Sequence, residues 1–372
     1  MIEQLKHFID YLSTPTISFT ILTVAFPFLF PPTEWFDKIS KKFGLWRIWT
    51  NAGGVILFVL TTAFFYLGFT DENFSIVLTK PDNFPIILMI YTMFFFTWYG
   101  MKKSYINDRR LDRGEKPLEY HDPEDKVLVW PDLVYIEFIA LLLFMVFLIV
   151  WSIVVAAPLE EPANPSVTPN PSKAPWYFLG LQEMLVYYDP WLAGVLFPTF
   201  IILGMCAIPY MDINKKGDGY YSFKERRVGY FIFMYGWLVL WVYLIIIGTF
   251  FRGPNWNFFG PFEWWDPHKL EVLNNVNLSE YFWVIMLERP LPQNVFLRES
   301  IGFIVTVFYV FVLPLLLAKT VLKNMFEAYG PVRYTFLMIL GLSMLSLPIK
   351  MYLRWFFNLK YIIAIPEYFF NI

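Results

Sequence analysis

The chain has 372 residues, of which 57% are hydrophobic, 21% aromatic and only 16% charged. Soluble domains carry about 25% charged residues, so this composition excludes an ordinary soluble domain and predicts a membrane protein. The formal net charge is −2 and no basic face stands out, which gives no sign of nucleic-acid binding. The one cysteine, Cys206, excludes disulfides and paired-cysteine haem or metal motifs within the chain.

Eight apolar stretches have about 20 residues each, the length that crosses a hydrocarbon core of ~30 Å. They lie at 17–33, 52–69, 85–100, 133–155, 192–211, 229–250, 301–319 and 334–350. We therefore predict an all-α fold, a polytopic membrane helix bundle of about eight transmembrane helices. Residues 1–16 carry polar and acidic groups, which predicts no cleavable signal peptide.

The distribution of basic residues predicts which side of the membrane each connection occupies. Most of the basic residues, 19 of the 29 lysines and arginines, fall in the alternate connections 34–51, 101–132, 212–228 and 319–333. Because cytoplasmic loops are enriched in Lys and Arg, we expect these four connections in the cytoplasm. Both termini and the segments 156–191 and 251–300 then lie outside.

These patterns divide the chain into five parts. Residues 1–103 hold three leading spans of unknown role, and 104–132 are a polar cytoplasmic linker. Residues 133–250 form a three-helix region that includes the outer loop 156–191. Residues 251–300 are an outer aromatic segment, and 301–372 hold two further spans and an interfacial carboxyl terminus.

The sequence gives little support for a metal site or a haem site. The run DINKKGDG at 212–219 resembles the start of a calcium loop, but Lys216 and Phe223 stand where oxygen donors are required, so we predict no metal site. The histidines His7, His121 and His268 lie in polar segments. A b-type haem across a bundle needs histidine ligands inside the bilayer, and this chain does not supply them.

Glu137 lies one turn into the span that begins at Leu133. An ionisable residue at membrane depth is by default a functional candidate. So near the start of the helix, however, Glu137 could also simply reach the headgroups.

The outer loop leads into an aromatic helical segment. Ser172 is a candidate N-cap, and Pro175 would then stand in the first helical turn, where its missing N–H costs nothing. At helical spacing, Trp176, Tyr177 and Gly180 share a face with Glu183 and Met184. An aromatic face with one carboxylate suits a flat, apolar molecule that loses protons at the water boundary. The alternative is an amphipathic helix that rests on the membrane.

Three runs in this region resemble one family. They are WPDLVYIEF at 130–138, EPANPSVTP at 161–169 and APWYFLGLQEML at 174–185. Together they are similar to the carboxyl-terminal part of cytochrome b, and closest to subunit IV of split Rieske/cytochrome b complexes. The resemblance covers about residues 115–250.

The resemblance implies a function for the whole chain. It would be the quinol-site subunit of a quinol:cytochrome c oxidoreductase, coupling quinol oxidation to proton translocation in respiratory or photosynthetic electron transport. Quinol (menaquinol or ubiquinol) would bind at an interface with a haem-bearing cytochrome b subunit. The b haem and the 2Fe–2S cluster would belong to partner subunits, the latter to a Rieske protein that passes electrons to a c-type cytochrome. The complex would be dimeric and lie in the bacterial cytoplasmic membrane.

The family's PEWY motif falls on Ala174, Pro175, Trp176 and Tyr177, so the tryptophan and tyrosine are kept and a proline replaces the glutamate. In the family that glutamate accepts a proton from quinol, which proline cannot do. We predict that Glu183 takes this role as general base, with Asp189 and Tyr187 as weaker candidates. The resemblance further implies a quinol pocket lined by Pro175, Trp176, Tyr177, Gly180 and Tyr187, and a loop held rigid by Pro162 and Pro165.

Two other functions remain open at this point. The first is a catalytically silent structural anchor of a redox complex, which the substitution by Pro175 favours. The second is a small-molecule transporter, which would need polar residues at mid-membrane and broken helices in symmetric halves. The sequence shows neither feature.

Overall fold

The structure, a computed structural model, describes residues 2–121, 128–155, 162–213, 219–271 and 274–372. Its principal helices in chain order are α1 (Ile2–Ser13), α2 (Pro15–Leu29), α3 (Glu34–Lys42), α4 (Asn51–Thr70), α5 (Glu72–Leu78), α6 (Phe84–Asp112), α7 (Val129–Val154), α8 (Leu179–Met184), α9 (Leu192–Met211), α10 (Lys224–Phe251), α11 (Leu278–Glu280, continued by Tyr281–Met286), α12 (Val295–Arg298), α13 (Ser300–Lys319) and α14 (Lys323–Phe357). Two short strands, β1 (Ala364–Ile365) and β2 (Phe370–Asn371), pair antiparallel.

Seven of these helices are long and apolar enough to cross a membrane, namely α4, α6, α7, α9, α10, α13 and α14. The pair α1 and α2, bent by 73° at the break between them, gives an eighth candidate span. The described residues confirm the predicted all-α class and a multi-pass membrane protein.

The structure places the ends of several spans differently from the sequence prediction. The first span was predicted at 17–33, but α2 begins at Pro15 and ends at Leu29, shortly before Pro31 and Pro32. A proline disfavours helical backbone in the residue before it, which explains the earlier end. Helix α6 continues to Asp112, well into the predicted linker.

The last predicted span, 334–350, is part of a much longer helical run. Helix α14 extends from Lys323 to Phe357, with a break at Gly330, where φ is 74°. This left-handed conformation is accessible to glycine at no steric cost, and Pro331 follows it directly. The connection predicted at 319–333 is therefore largely helical.

The described chain separates into two compact units. The first unit comprises residues 1–30, 170–217 and 231–372, and the second comprises 31–169 and 218–230. In the first unit, the short helix α8 packs against the last turns of α10, where Leu244, Ile245 and Ile247 are buried. In the second unit, α4 packs against α5 and α6.

The carboxyl-terminal segment, which the sequence predicts to be interfacial, is buried in part and exposes Tyr368 and Phe369. Leu359, Ile363 and Ala364 are buried in the first unit. The backbone N–H of Ala364 donates to the buried Glu299 carboxylate at 3.0 Å. This contact ties the segment to the first unit, and its place at the membrane interface stays a prediction.

The close contact between α8 and α10 predicts a sensitivity at Gly248. A Cβ atom there would lie 3.2 Å from the carbonyl oxygen of Leu179 and 3.3 Å from its Cβ. We expect Gly248→Leu to lower the free energy of unfolding by about 1–3 kcal/mol, the usual cost of overpacking. Thermal unfolding of the detergent-solubilised protein measures this change. Gly341→Leu is the matched control, because a Cβ at Gly341 meets nothing within 4 Å. Equal melting temperatures for the two variants would contradict the prediction.

Candidate functional site

The centre of the site is the Glu183 carboxylate on α8, which is 0% exposed. Arg252, directly after α10, binds both of its oxygens. Its Nε donates to Oε2 at 2.9 Å, and its Nη2 donates to Oε1 at 2.6 Å. The indole Nε1 of Trp256 also donates to Oε2, at 3.1 Å. Such a bidentate, charge-assisted pair fixes orientation as well as adding energy.

The loop after α10 folds back so that Arg252 and Trp256 meet the same carboxylate. Arg252 pairs with Phe258 in an isolated antiparallel bridge, and its Nη1 donates to the carbonyl oxygen of Trp256 at 2.9 Å. Asn255 adopts φ of 58° at the tip. Burial disfavours the charge of the Arg252 guanidinium, but the Glu183 carboxylate outweighs burial and leaves its pKa above the usual range. Arg252 is therefore a cation in this contact.

Gln182 connects α8 to the proline-rich loop before it. Its Nε2 donates to the carbonyl oxygen of Ser172 at 2.8 Å, and its Oε1 accepts from the backbone N–H of Ala174 at 2.7 Å. The prediction that Ser172 caps the helix was wrong, because a 3₁₀ turn begins only at Trp176 and α8 at Leu179. The Gln182 side chain, rather than a cap, ties the loop to the helix.

Lys360 stabilises the opposite end of α8. Its Nζ donates to the carbonyl oxygens of Leu185 and Val186, at 3.0 and 2.9 Å. A cation at a helix carboxyl end satisfies carbonyl groups that lack helical partners. Burial and the nearby Arg354 lower the pKa of Lys360 to about 8, against the opposing effect of Asp189.

The predicted quinol-pocket residues fall into an exposed and a buried group. Pro175 and Tyr177 are exposed and Trp176 is half-buried. The Trp176 and Tyr177 rings lie edge to face at 5.7 Å, and the Tyr177 and Phe178 rings are 4.6 Å apart. We call Trp176, Tyr177 and Phe178 the aromatic lip.

Gly180 and Tyr187 belong to the buried group with Glu183. A Cβ at Gly180 would lie 3.3 Å from Ile245 Cγ1 and 3.4 Å from the Trp241 carbonyl oxygen, so glycine permits the close approach of α8 to α10. Tyr187 is 1% exposed, and burial together with the Glu183 charge raises its pKa. The structure thus places both residues against protein, beneath the surface that the lip exposes.

The two loop prolines lie in the second unit and are exposed. Pro165 is the second residue of a turn, in which the Val167 N–H donates to the Asn164 carbonyl oxygen at 3.2 Å. The Asn164 side chain accepts from the Ser166 N–H at 2.9 Å. Proline pre-sets φ for this position, which is consistent with the stiffening role predicted for it.

The structure also locates other residues that the sequence analysis considered as functional candidates. Glu137 is an exposed residue of α7. Asp189 accepts a hydrogen bond from the Asn371 amide at 3.0 Å. In the part of the chain that the structure describes, no group of His, Cys, Asp or Glu side chains is placed to hold a metal ion. Most of the DINKKGDG run lies outside the described residues.

Sequence reasoning missed the partners of Glu183. Arg252 and Trp256 were assigned only to an outer aromatic segment. A signal for Arg252 did exist, since it directly follows a long apolar span at a predicted outer boundary, where positive charges are scarce. Nothing in the sequence indicated that its partner lies 69 residues earlier.

The buried pair predicts an asymmetric response to mutation. Arg252→Gln leaves a buried carboxylate without its cation, and we expect a loss of about 3–5 kcal/mol in the free energy of unfolding. The double variant Glu183→Gln, Arg252→Gln removes both charges and should recover much of that loss. Arg252→Lys keeps the charge but loses the bidentate geometry, so it should fall between the two. Unfolding in detergent tests the order, and a double variant no more stable than Arg252→Gln would contradict it.

Comparison with known proteins assigns the region that carries this site. Residues 162–261 match the family model described as cytochrome b (C-terminal)/b6/petD. No solved structure matches the chain. The matched segment contains the aromatic lip, α8, Arg252 and Trp256, and it indicates a subunit of a cytochrome bc-type or b6f-type membrane complex. Residues 162–261 are therefore similar to the cytochrome b carboxyl-terminal domain family.

Proposed function

We propose that this chain is the quinol-site subunit of a quinol:cytochrome c oxidoreductase that couples quinol oxidation to proton translocation in the bacterial cytoplasmic membrane. The observation that carries the proposal is the aromatic lip. It is exposed in part, it directly precedes the helix that holds the Glu183–Arg252 ion pair, and it lies within the segment that matches the family. In this proposal quinol, either menaquinol or ubiquinol, is the substrate and the redox centres belong to partner subunits.

The aromatic lip has the chemistry to bind a flat ring. Tyr177 and Phe178 are each about half exposed, at 48% and 49%, and aromatic faces stack favourably on planar molecules. Pro175, with φ of −51°, restricts the backbone directly before the lip. Its carbonyl accepts from the Phe178 N–H at 2.8 Å, so the three rings are presented on a stiff turn.

Glu183 remains our proposed proton acceptor, under a condition set by its contacts. Arg252 holds the carboxylate in the ionised form that a base requires, but it also stabilises that form and so weakens it as a base. The Trp256 hydrogen bond to Oε2, at 3.1 Å, is the longest of the contacts. Displacement of this indole would leave Oε2 with the Arg252 Nε contact alone, so that a second lone pair of Oε2 could accept a proton while Nη2 of Arg252 still holds Oε1.

The partners follow from surfaces that this chain leaves uncovered. No residue of α7 is buried within the described structure, so the whole helix is available to lipid or to another subunit. We propose that a haem-bearing cytochrome b subunit packs there, that a Rieske protein docks at the outer side, and that electrons pass to a c-type cytochrome in a dimeric complex.

A structural anchor is the second candidate function, and one observation favours it. The Glu183 carboxylate is fully buried and all of its described contacts are hydrogen-bond donors of this chain. Such a carboxylate can serve the fold alone. Pro175, which stands where the family has its proton-accepting glutamate, fits this candidate as well.

Turnover of two variants of the assembled complex separates the candidates. Glu183→Gln and Arg252→Gln both break the ion pair, but only the first removes the carboxylate. If Glu183 is the base, Glu183→Gln should lower quinol oxidation by about 10²–10⁴-fold, while Arg252→Gln keeps measurable turnover because the carboxylate remains. Equal rates in the two variants would favour the anchor, provided that subunit content is equal.

Purification tests the assignment to a redox complex. We expect a tag on this chain to recover, in mild detergent, a b-haem band in the dithionite-minus-ferricyanide spectrum. Mass spectrometry should identify a histidine-rich partner and a Rieske protein. A haem-free, solitary protein would overturn the proposed function.

A further inference from the structure

The second unit contains an apolar groove that the proposed function does not use. It has a volume of about 360 Å³ and lies between α4 and α6, within the range of about 300–1,000 Å³ typical of small-molecule sites. Its lining residues are Asn51, Gly54, Val55, Leu57, Phe58, Thr61, Tyr91, Phe94, Phe95 and Trp98. From Asn51 to Thr61 the groove follows α4 for about 15 Å.

One end of the groove is built around Trp98. Its indole Nε1 donates to the Thr50 carbonyl oxygen at 2.9 Å, which ties α6 to the start of α4. The ring lies so close to α4 that a Cβ at Gly54 would be 2.4 Å from it. At the other end the Tyr91 hydroxyl donates to Thr62 at 3.1 Å.

Two cations lie at the Trp98 end. The Lys102 ammonium is 4.9 Å from the centroid of the Trp98 ring, one helical turn further along α6. Arg47 precedes α4 by one turn, and its carbonyl oxygen accepts from the Thr50 N–H at 3.1 Å. Its guanidinium lies 5.9 Å from the Trp46 ring. The Lys102 side chain and the Arg47 backbone therefore lie within a turn of the Trp98–Thr50 hydrogen bond, and the Arg47 guanidinium lies beside the Trp46 ring.

Several carboxylates of the second unit already have partners. Asp37 pairs with Lys41 and Arg227, Asp112 with Lys224, Glu115 with Arg110 and Arg113, and Glu119 with Lys103. Asp108 accepts from Ser222 and from the backbone N–H groups of Phe223 and Lys224. Among the described residues, neither Arg47 nor Lys102 has a carboxylate partner, so the Trp98 end of the groove has unneutralised positive charge.

We propose that this groove is a binding site for one anionic phospholipid. An acyl chain would lie along the apolar wall between α4 and α6, and the phosphate would be held by Arg47 and Lys102. The apolar lining accounts for the chain, and the cationic end accounts for the choice of an anionic headgroup. Lys and Arg next to a membrane surface attract anionic lipid in this way. The site is separate from the aromatic lip and does not depend on quinol chemistry.

Native mass spectrometry of the purified full-length chain, delipidated and titrated with dioleoyl phosphatidylglycerol or dioleoyl phosphatidylcholine, tests the headgroup. We expect one phosphatidylglycerol to bind at least about tenfold more tightly than phosphatidylcholine, and the double variant Arg47→Gln, Lys102→Gln to lose that preference. The double variant Lys42→Gln, Lys80→Gln removes the same amount of charge from exposed lysines outside the groove. It should keep the preference for phosphatidylglycerol. Equal binding of the two lipids by the unmodified chain, or equal loss in both double variants, would overturn the proposal.

A groove-filling pair tests the position of the acyl chain. Val55 lines the groove and Ile56 beside it does not, while the two are 62% and 58% exposed. We expect Val55→Trp to abolish the single tight phosphatidylglycerol adduct and Ile56→Trp to retain it. Loss in neither variant would show that the lipid lies elsewhere. Co-purification of an isoprenoid quinone that competes with phosphatidylglycerol would replace the proposed occupant.

Discussion

The buried pair of Glu183 and Arg252 is the interaction on which the geometry of the site depends. Helix α8 has six residues, and an isolated helix of that length is not stable in water. It persists because Arg252 fixes its middle, Gln182 ties its start to the loop, and Lys360 satisfies carbonyl groups beyond its end. Of these contacts, only the ion pair has two buried side chains. A buried charge without its partner would cost several kcal/mol. The Glu183–Arg252 pair must therefore form whenever α8 packs in this position.

The same pair constrains the chemistry. It positions the aromatic lip, because Trp176 to Phe178 lead directly into α8. It also places the strongest available cation against the carboxylate that we propose as base. Positioning and basicity therefore oppose each other at Glu183: a tighter pair gives a better-defined lip and a poorer proton acceptor. The Trp256 hydrogen bond offers a way to meet both demands. Its loss would remove one hydrogen-bond donor from a Glu183 oxygen and leave the Arg252 guanidinium in place.

Hydropathy predicted the membrane spans because about 20 apolar residues must be consecutive in sequence to cross the bilayer. It could not place the ends of α6 or α14, since polar residues such as Asp108 and Arg354 are accommodated by contacts with distant segments. The sequence likewise indicated only those residues of the candidate site that lie close together along the chain. Trp176, Tyr177 and Glu183 share a local motif, whereas Arg252 meets Glu183 only after α9 and α10 have brought the chain back. Gly180 lies in α8 and Tyr187 in the turn that follows it, and the burial of both depends on packing against α10 and Trp355.

Charge counting shows a related limit in the second unit. The excess of lysine and arginine in 34–51 and 101–132 was interpreted from sequence as a signal of membrane orientation. The structure divides those residues into two groups that the count treats alike. Lys103 is paired with Glu119, and Arg110 and Arg113 share the single carboxylate of Glu115, so the field of these three residues outside the protein is reduced. In the part of the chain that the structure describes, Arg47 and Lys102 have no such carboxylate and lie near one end of an apolar groove. Because a cation acts on the bilayer only through charge that the protein has not already neutralised, the unpaired cations of this surface, Arg47 and Lys102 among them, should matter more than the full count for its contact with anionic lipid.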